Sequence, residues 1–217
     1  NDLSDDDFIF ASNDAPQIAL PGETYLTFNG DDYAASTAPA SILTDNVTFE
    51  AWIRWDGDGS GGQILFYNGD TSTAGYGLLG EIIDDTLNLR GLTGGQNILE
   101  SDIFLDAGEW HHVALVRENE MFRLYVDGDE ASLTFADSGV NLITAANVTM
   151  VGGNPNNPNE YFHGDIAEVR LWDIARTQEQ IADARFGSMS GDESGLAGYW
   201  PLNEGNGSSS SDHTAPA

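Results

Sequence analysis

The stretch from His163 to Gly205, HGDIAEVRLWDIARTQEQIADARFGSMSGDESGLAGYWPLNEG, constrains this chain more than any other part of it. It reads as a strand, a sharp exit, one short helix, a polar loop and a final strand that ends in an acidic turn. The helix is predicted from Thr177 to about Phe186. Thr177 suits the N-cap, and Gln180 stands three residues on, as a capping box requires. Ile181 and Ala184 or Arg185 mark its apolar face, and Gly187 is expected to end it in the left-handed conformation. One helix in a chain otherwise made of strands excludes a βαβ fold and leaves a β-sandwich.

The strand signals begin near residue 24. YLTF (25–28) precedes an NGDD turn, and VTFEAWIRW (47–55) alternates, with Phe49, Trp52 or Ile53, and Trp55 among polar partners. QILFYNG (63–69), YGLLGEII (76–83), TLNLRGL (86–92) and NILESD (97–102) continue the series. WHHVALVREN (110–119) and MFRLYVDG (121–128) form a predicted hairpin. ASLTF (131–135), NVTMVGG (147–153) and DIAEVRLW (165–172) follow. Short strands at this spacing argue for an all-β sandwich or jelly roll with one short helix near 177–186, not a βαβ fold.

Charge and cysteine content remove whole classes of function. Seven basic residues, all Arg, face 36 acidic ones, for a formal charge of -29. That charge repels phosphate backbones and anionic bilayers, so neither nucleic acid nor a membrane is an expected partner. It suits salty or calcium-rich surroundings, where carboxylates are screened or bound. The absence of Cys excludes disulfide scaffolds and thiol chemistry. No apolar run approaches the roughly 18–20 residues of a membrane span.

WHHVALVREN with FRLYVDG, then VGG, HGDIAEVRLWDIARTQEQI and GLAGYWPLNEGNG, resemble the laminin-G-like, concanavalin A-like jelly roll, in its bacterial LamG and pentraxin-related branch. The resemblance runs from YLTFNGDDY to about Gly207. One position departs from it: Ala167 stands where the family has an acidic residue before the Glu of its IDEV-type strand, and Asp165 lies two residues earlier. The NDAP element resembles linkers of large bacterial surface adhesins. Residues 1–22 are thus expected to be a linker or edge segment, 23–207 the domain, and 208–217 a second linker or truncated end. The abrupt start at NDLSDDDFIF reads as the beginning of a piece of a longer protein.

The resemblance implies an all-β, two-sheet antiparallel jelly-roll sandwich, one sheet concave, with rim loops that bind calcium and ligand. Two loops match that rim: YNGDTSTAGY (67–76) and GGNPNNPNEYF (152–162). Their candidate ligand contacts are Asn68, Asp70, Tyr76, Asn154, Asn156, Asn157, Asn159, Glu160 and Tyr161, with Tyr67 as a further flat face. Side-chain and carbonyl oxygens here are hard donors of the kind Ca²⁺ takes. Pro155 and Pro158 would stiffen the second loop. Candidate metal ligands are Asp31, Asp32, Asp70, Asn157, Glu160, Asp165 and Glu204. Asp31 and Asp32 are expected to meet Glu204 and Asp212 where the ends of the fold come together. A solvated loop without ligand is the alternative.

Asp56-Gly-Asp58-Gly-Ser60-Gly61 matches half of a calcium loop, but Tyr67 stands where its bidentate Glu belongs, so a plain turn is expected. Asp127-Gly128 reads as a hairpin turn. Catalysis finds little support. Glu81 and Asp84, and Asp165 and Glu168, are each three apart, which on a regular strand puts them on opposite faces. His111 and His112 are read as structural for the same reason, and most of the five Trp as core. The expected function is a non-catalytic, secreted or cell-surface module of a bacterial adhesin, with Ca²⁺ as cofactor and an extracellular glycan or other surface ligand as partner. Neighbouring domains of the same long chain are the other expected partners. The alternatives are a calcium-rigidified spacer, or an accessory domain of a polysaccharide-degrading enzyme or a minimal hydrolase.

Overall fold

The computed structural model describes residues 8–11, 25–39, 46–69, 75–93, 97–119, 121–135, 148–154, 157, 159–187, 189–203 and 209–214. In chain order the strands are β1 (Phe8–Ala11), β2 (Leu26–Asn29), β3 (Tyr33–Pro39), β4 (Val47–Trp55), β5 (Gly62–Tyr67) and β6 (Tyr76–Ile83). Then come β7 (Thr86–Thr93), β8 (Asn97–Leu105), β9 (His111–Glu118), β10 (Met121–Val126), β11 (Asp129–Ala131), β12 (Leu133–Phe135), β13 (Val148–Val151) and β14 (His163–Trp172). Helix α1 (Gln178–Ala184), β15 (Leu196–Trp200) and β16 (Ser209–Ser210) complete the order.

Nine strands form one antiparallel sheet, in the order β12-β8-β7-β6-β5-β13-β3-β1-β16. Seven form the other: β11-β10-β9-β4-β14-β15, with β2 also paired to β14. This is the expected jelly-roll sandwich. Alternation fills the space between its sheets. From β4, Val47, Phe49, Ala51, Ile53 and Trp55 all point inward and stay within 2% of full burial. Phe49 stacks on Phe66 of the facing sheet at 3.9 Å. Ile53, not Trp52, is therefore the core residue of that pair. Trp55 and Trp200 join the same core, while Trp172 is buried on the outer side of the seven-stranded sheet beneath the Arg176 guanidinium, 4.1 Å away.

Two details differ from the sequence reading. Phe8–Ala11 and Ser209–Ser210, placed there in a linker or edge segment and in a linker or truncated end, pair with each other and continue the nine-stranded sheet beside β3. ASLTF is two strands: β11 pairs with β10 in one sheet, and β12 pairs with β8 in the other. The chain changes sheets at Ser132, whose N–H donates to Asp102 at 3.0 Å.

Helix α1 carries the predicted capping box, with both the Thr177 and Gln180 side chains bonded to backbone. Its end differs: Arg185 is the C-cap in right-handed geometry, and Gly187 has no positive φ. The helix lies on the outer face of the seven-stranded sheet, where Ile181 packs with Ala114, Val116 and Tyr125. Burying that one side chain contributes about 1.5–3 kcal/mol. Beside it Glu50, fully buried, is held by Arg176 and approached by Arg170 at 3.9 Å and by His112 Nε2 at 3.6 Å. Arg170 and Arg176 donate onward to the carbonyls of Ala184, Gly187 and Gln180, tying the helix to the sheet.

Candidate functional site

Strand register decides which predicted site residues can meet. Val151 lies opposite Phe66, and the chain then runs on past Leu65 to Glu160, whose carbonyl accepts from Ile64 N–H at 3.0 Å. The 152–162 loop therefore sits at the Gly62 end of β5. The 68–75 loop leaves the Tyr67 end. The described ends of the two candidate loops thus leave β5 in opposite directions, Gly152 and Glu160 beside Leu65 and Ile64, and Asn68 beyond Tyr67.

At the Tyr67 end the candidates are structural. Asn68 is fully buried and accepts from Tyr76 N–H at 2.9 Å. Tyr76 packs between Phe66 and Phe122 in the core, and burial pushes its phenol well up. Tyr67 is 2% exposed, on the outer side of the nine-stranded sheet. None of the three presents a face to a ligand, which corrects the expectation for Asn68, Tyr67 and Tyr76. Asp70 lies outside the described residues.

The other end is built from three crossings between the sheets: the turn after β2, the Asp56–Gly61 turn and the 152–162 loop. Backbone bonds lock them together. Gly30 N–H donates to the Phe162 carbonyl at 3.1 Å, Asp56 N–H to that of His163 at 3.3 Å, and Phe162 N–H to that of Gly152 at 2.8 Å. Gln63, which nothing in the sequence singled out, braces the junction. Its side chain accepts from His163 N–H at 3.0 Å and donates to the Asp58 carbonyl at 2.8 Å. The Asp56 and Asp58 carboxylates accept from N–H groups of their own turn, in keeping with a plain turn.

Within the 152–162 loop, Asn157 N–H donates to the Asn154 carbonyl and Glu160 N–H to that of Asn157. Asn154 is only 4% exposed, and its amide donates to Glu160 Oε2 at 3.1 Å. Asn154 is thus a brace of the loop, not an exposed ligand contact. Asn157, Asn159, Glu160 and Tyr161 keep surface access. Asn156, Pro155 and Pro158 are outside the described residues. Gly153 allows the loop to press on the β2–β3 turn: a Cβ there would come within 2.4 Å of the Tyr161 ring and 3.1 Å of the Asp32 carbonyl oxygen.

Asp31 and Asp32 therefore belong with this loop. Tyr161 lies 6.4 Å from Tyr33, and its phenol is raised by burial first, then by Tyr33, Asp31 and Asp32. Asp31 is exposed, while Asp32 is almost fully buried. Asp212 is elsewhere, bonded to the N–H groups of Tyr199 and Thr214, and Tyr199 pairs with Arg170 far along β14 from His163. The expected meeting of Asp31 and Asp32 with Asp212 is thus corrected; Glu204 is outside the described residues.

Asp165 is also excluded from the rim. It sits on the outer face of β14, held by Thr27 Oγ1 at 2.7 Å and by Arg54 through Nε at 2.8 Å and Nη2 at 2.7 Å. A β-bulge between Ala167 and Arg170, with Glu168 at φ 53°, shifts the alternation. Ile166 and Val169 both face the core, so Asp165 and Glu168 share the outer face, contrary to the regular-strand expectation. Each is closed by an Arg partner, and Glu168 also accepts from the Tyr199 hydroxyl at 3.0 Å. His111 pairs with Asp127 at 2.8 Å, and His112 is buried beside Glu50, both in structural settings. Among the described residues no group of three or more His, Cys, Asp or Glu side chains is placed to hold a metal ion.

The chain belongs to the concanavalin A-like lectin/glucanases superfamily, through the Laminin_G_3 family, which matches residues 28–182. Pappalysin-1 of Mus musculus is 32% identical over 77 residues, which are 34% of this chain and 5% of that protein. The chain thus spans a small part of the curated relative it matches. A candidate carbohydrate binding protein from Bacteroides ovatus ATCC 8483 superposes with TM-score 0.60 and 21% identity, covering 96% of this chain and 55% of that one. Domain 4 of AbnA, a GH43 extracellular arabinanase from Geobacillus stearothermophilus solved with arabinotriose, gives 0.61 and 19%, covering 79% and 82%. A SAP-like pentraxin from Limulus polyphemus gives 0.53 and 16%, covering 85% and 83%. These structural likenesses establish the fold alone. No helix among the described residues is long and apolar enough to cross a membrane.

Proposed function

We propose that this domain is a non-catalytic, extracellular glycan-binding module of a bacterial adhesin, and that Ca²⁺ assists binding at the rim formed by the β2–β3 turn and the 152–162 loop. The observation that carries the reading is the convergence of Asp31, Asp32 and Tyr161 on a loop that leaves Asn157, Asn159 and Glu160 at the surface. The carbohydrate ligands named for two structural neighbours support the ligand class. The donor set fits calcium better than a transition metal, because it is all oxygen. With no group of three carboxylates placed to hold a metal among the described residues, such an ion would draw on Asn157 and backbone carbonyls with at most two of Glu160, Asp31 and Asp32. When bound it would supply a positive charge that orients sugar hydroxyls.

The Arg-closed states of Asp165 and Glu168 support a binding role over a hydrolytic one. A second reading, an accessory domain of a polysaccharide-degrading enzyme, is favoured by the likeness to the arabinanase domain.

A glycan array with and without EDTA tests the proposal. Calcium-dependent hits lost in Asn157→Ala or Glu160→Ala are expected. An array without hits, joined to a large EDTA-induced fall in melting temperature, would indicate a spacer. Turnover of any polysaccharide would overturn the non-catalytic reading. Calcium should also lower the Tyr161 phenol pKa by offsetting Asp31 and Asp32, measured as the near-ultraviolet titration difference between wild type and Tyr161→Phe.

A further inference from the structure

Proteins that grip sialylated, uronate or sulfated sugars do so chiefly through charge-assisted bonds from Arg or Lys. This chain has no Lys and seven Arg. Each of the seven is engaged within the domain. Arg54 forks onto Asp165 and lies 5.1 and 5.0 Å from the rings of Tyr25 and Trp110. Arg90 pairs with Glu81, and Arg123 with Glu118 at 2.8 Å. Arg170 and Arg176 are consumed beneath α1 by Glu168, Glu50 and helix-end carbonyls. Arg117 is 1% exposed in the core, 5.8 Å from the Phe122 ring. Arg185 donates to the Ala182 carbonyl at 2.5 Å and lies 4.5 Å from the Phe186 ring.

Among the described residues the permanent charges at the rim are negative, and its basic group is the half-buried His163 ring packed against Gly30 and Gly59. Asp31, Asp56 and Asp58 are exposed there, in a chain of formal charge -29. One Ca²⁺ at this rim would offset only part of the charge of Asp31, Asp32, Asp56, Asp58 and Glu160, so an anionic sugar arriving at that end still meets carboxylates within about one screening length, roughly 10 Å at moderate salt. Besides such an ion, what remains for recognition is uncharged: Asn157 and Asn159 amides, loop backbone groups and the Tyr161 ring.

We infer that the glycan taken by this domain is uncharged, a neutral hexose or pentose chain, and that sialylated, uronate and sulfated glycans are rejected. The inference rests on the glycan-binding reading and adds the ligand class to it.

The test is affinity electrophoresis and a glycan array on the intact chain. The probes are dextran, arabinan and galactan against dextran sulfate, polygalacturonate and sialylated oligosaccharides, at low and high salt, with calcium or with EDTA. Retention on one or more neutral glycans that salt leaves unchanged, with none on the anionic panel, is the expected result. Anionic binding that survives EDTA and weakens with salt overturns the inference while leaving glycan binding intact. Loss of that binding in Arg185→Ala would assign it to Arg185, a partly exposed Arg held by a carbonyl and a ring. Anionic binding seen only with calcium overturns it as well and places the attraction on the ion. Failure of both panels removes the glycan-binding reading itself, and the inference with it.

Discussion

Glu50 beneath α1 and Glu160 at the rim are both carboxylates beside an amide or guanidinium donor, yet their surroundings differ. Glu50 is enclosed by Arg176, Arg170 and His112, with the helix above and the sheet below. Glu160 has one side-chain donor, Asn154, and faces water. The first arrangement is closed: burial keeps all of its members from a ligand, and their loss would strand buried charge. The second is open, and its carboxylate can change partners at little cost to the fold. In this molecule polar groups that stabilise and polar groups that can bind are therefore kept in separate places.

The sharpest way to break that contrast is to cut both carboxylates. Glu50→Ala leaves Arg170 and Arg176 buried without their counter-charge and should cost about 3–5 kcal/mol in denaturant unfolding. Glu160→Ala should change stability by no more than about 1 kcal/mol in EDTA while abolishing calcium-dependent binding. Equal losses in the two variants would erase the distinction. Next in size is Gly30→Ala, which tests whether the rim scaffold is itself rigid. Gly30 has φ +91°, and a Cβ there would sit 2.0 Å from the His163 ring, so a cost of about 1–3 kcal/mol is expected in the same assay. Thr177→Ala removes the helix cap above the closed cluster and should cost about 1 kcal/mol, read as a fall in melting temperature.

The smallest effect concerns pH. Burial alone would raise the Glu193 carboxyl, but the N–H groups of Ser190 and Gly191 and the Ser190 hydroxyl outweigh it and hold the group below the ordinary Glu range. A lowered folded pKa stabilises the fold above the unfolded value, and that contribution is lost as pH falls through the folded one. Glu193→Gln should therefore lower the melting temperature slightly near neutrality and flatten its acid limb. An unchanged acid limb would show that Glu193 contributes nothing.

What could be read from the sequence was local. The Thr177–Gln180 cap, the Asp127-Gly128 turn and the inward row of β4 each depend on residues a few positions apart, and each is present. Three features were hidden because they depend on distant pairing or on backbone geometry. Strand β3, rich in Ala and Ser, carries little intrinsic β signal and is held by β1 and β13. The bulge at Glu168 inverts the face of everything after it, and Glu in the left-handed region has no sequence signature. The opposite directions in which the two candidate loops leave β5 follow from the pairing of Val151 with Phe66, 85 positions earlier in the chain. The rim was half legible: the loop residues stood out, but their partners Asp31, Asp32 and Gln63 came from elsewhere in the fold.

The pairing of β1 with β16, Phe8 opposite Ser210, has a mechanical consequence. Phe8 and Thr214 thus lie at one side of the fold, so a pull applied at these two residues would first load those rungs and the contact of His213 with Tyr199. A domain held by such a pull would hang beside the line of force, with its rim outside the rungs loaded first.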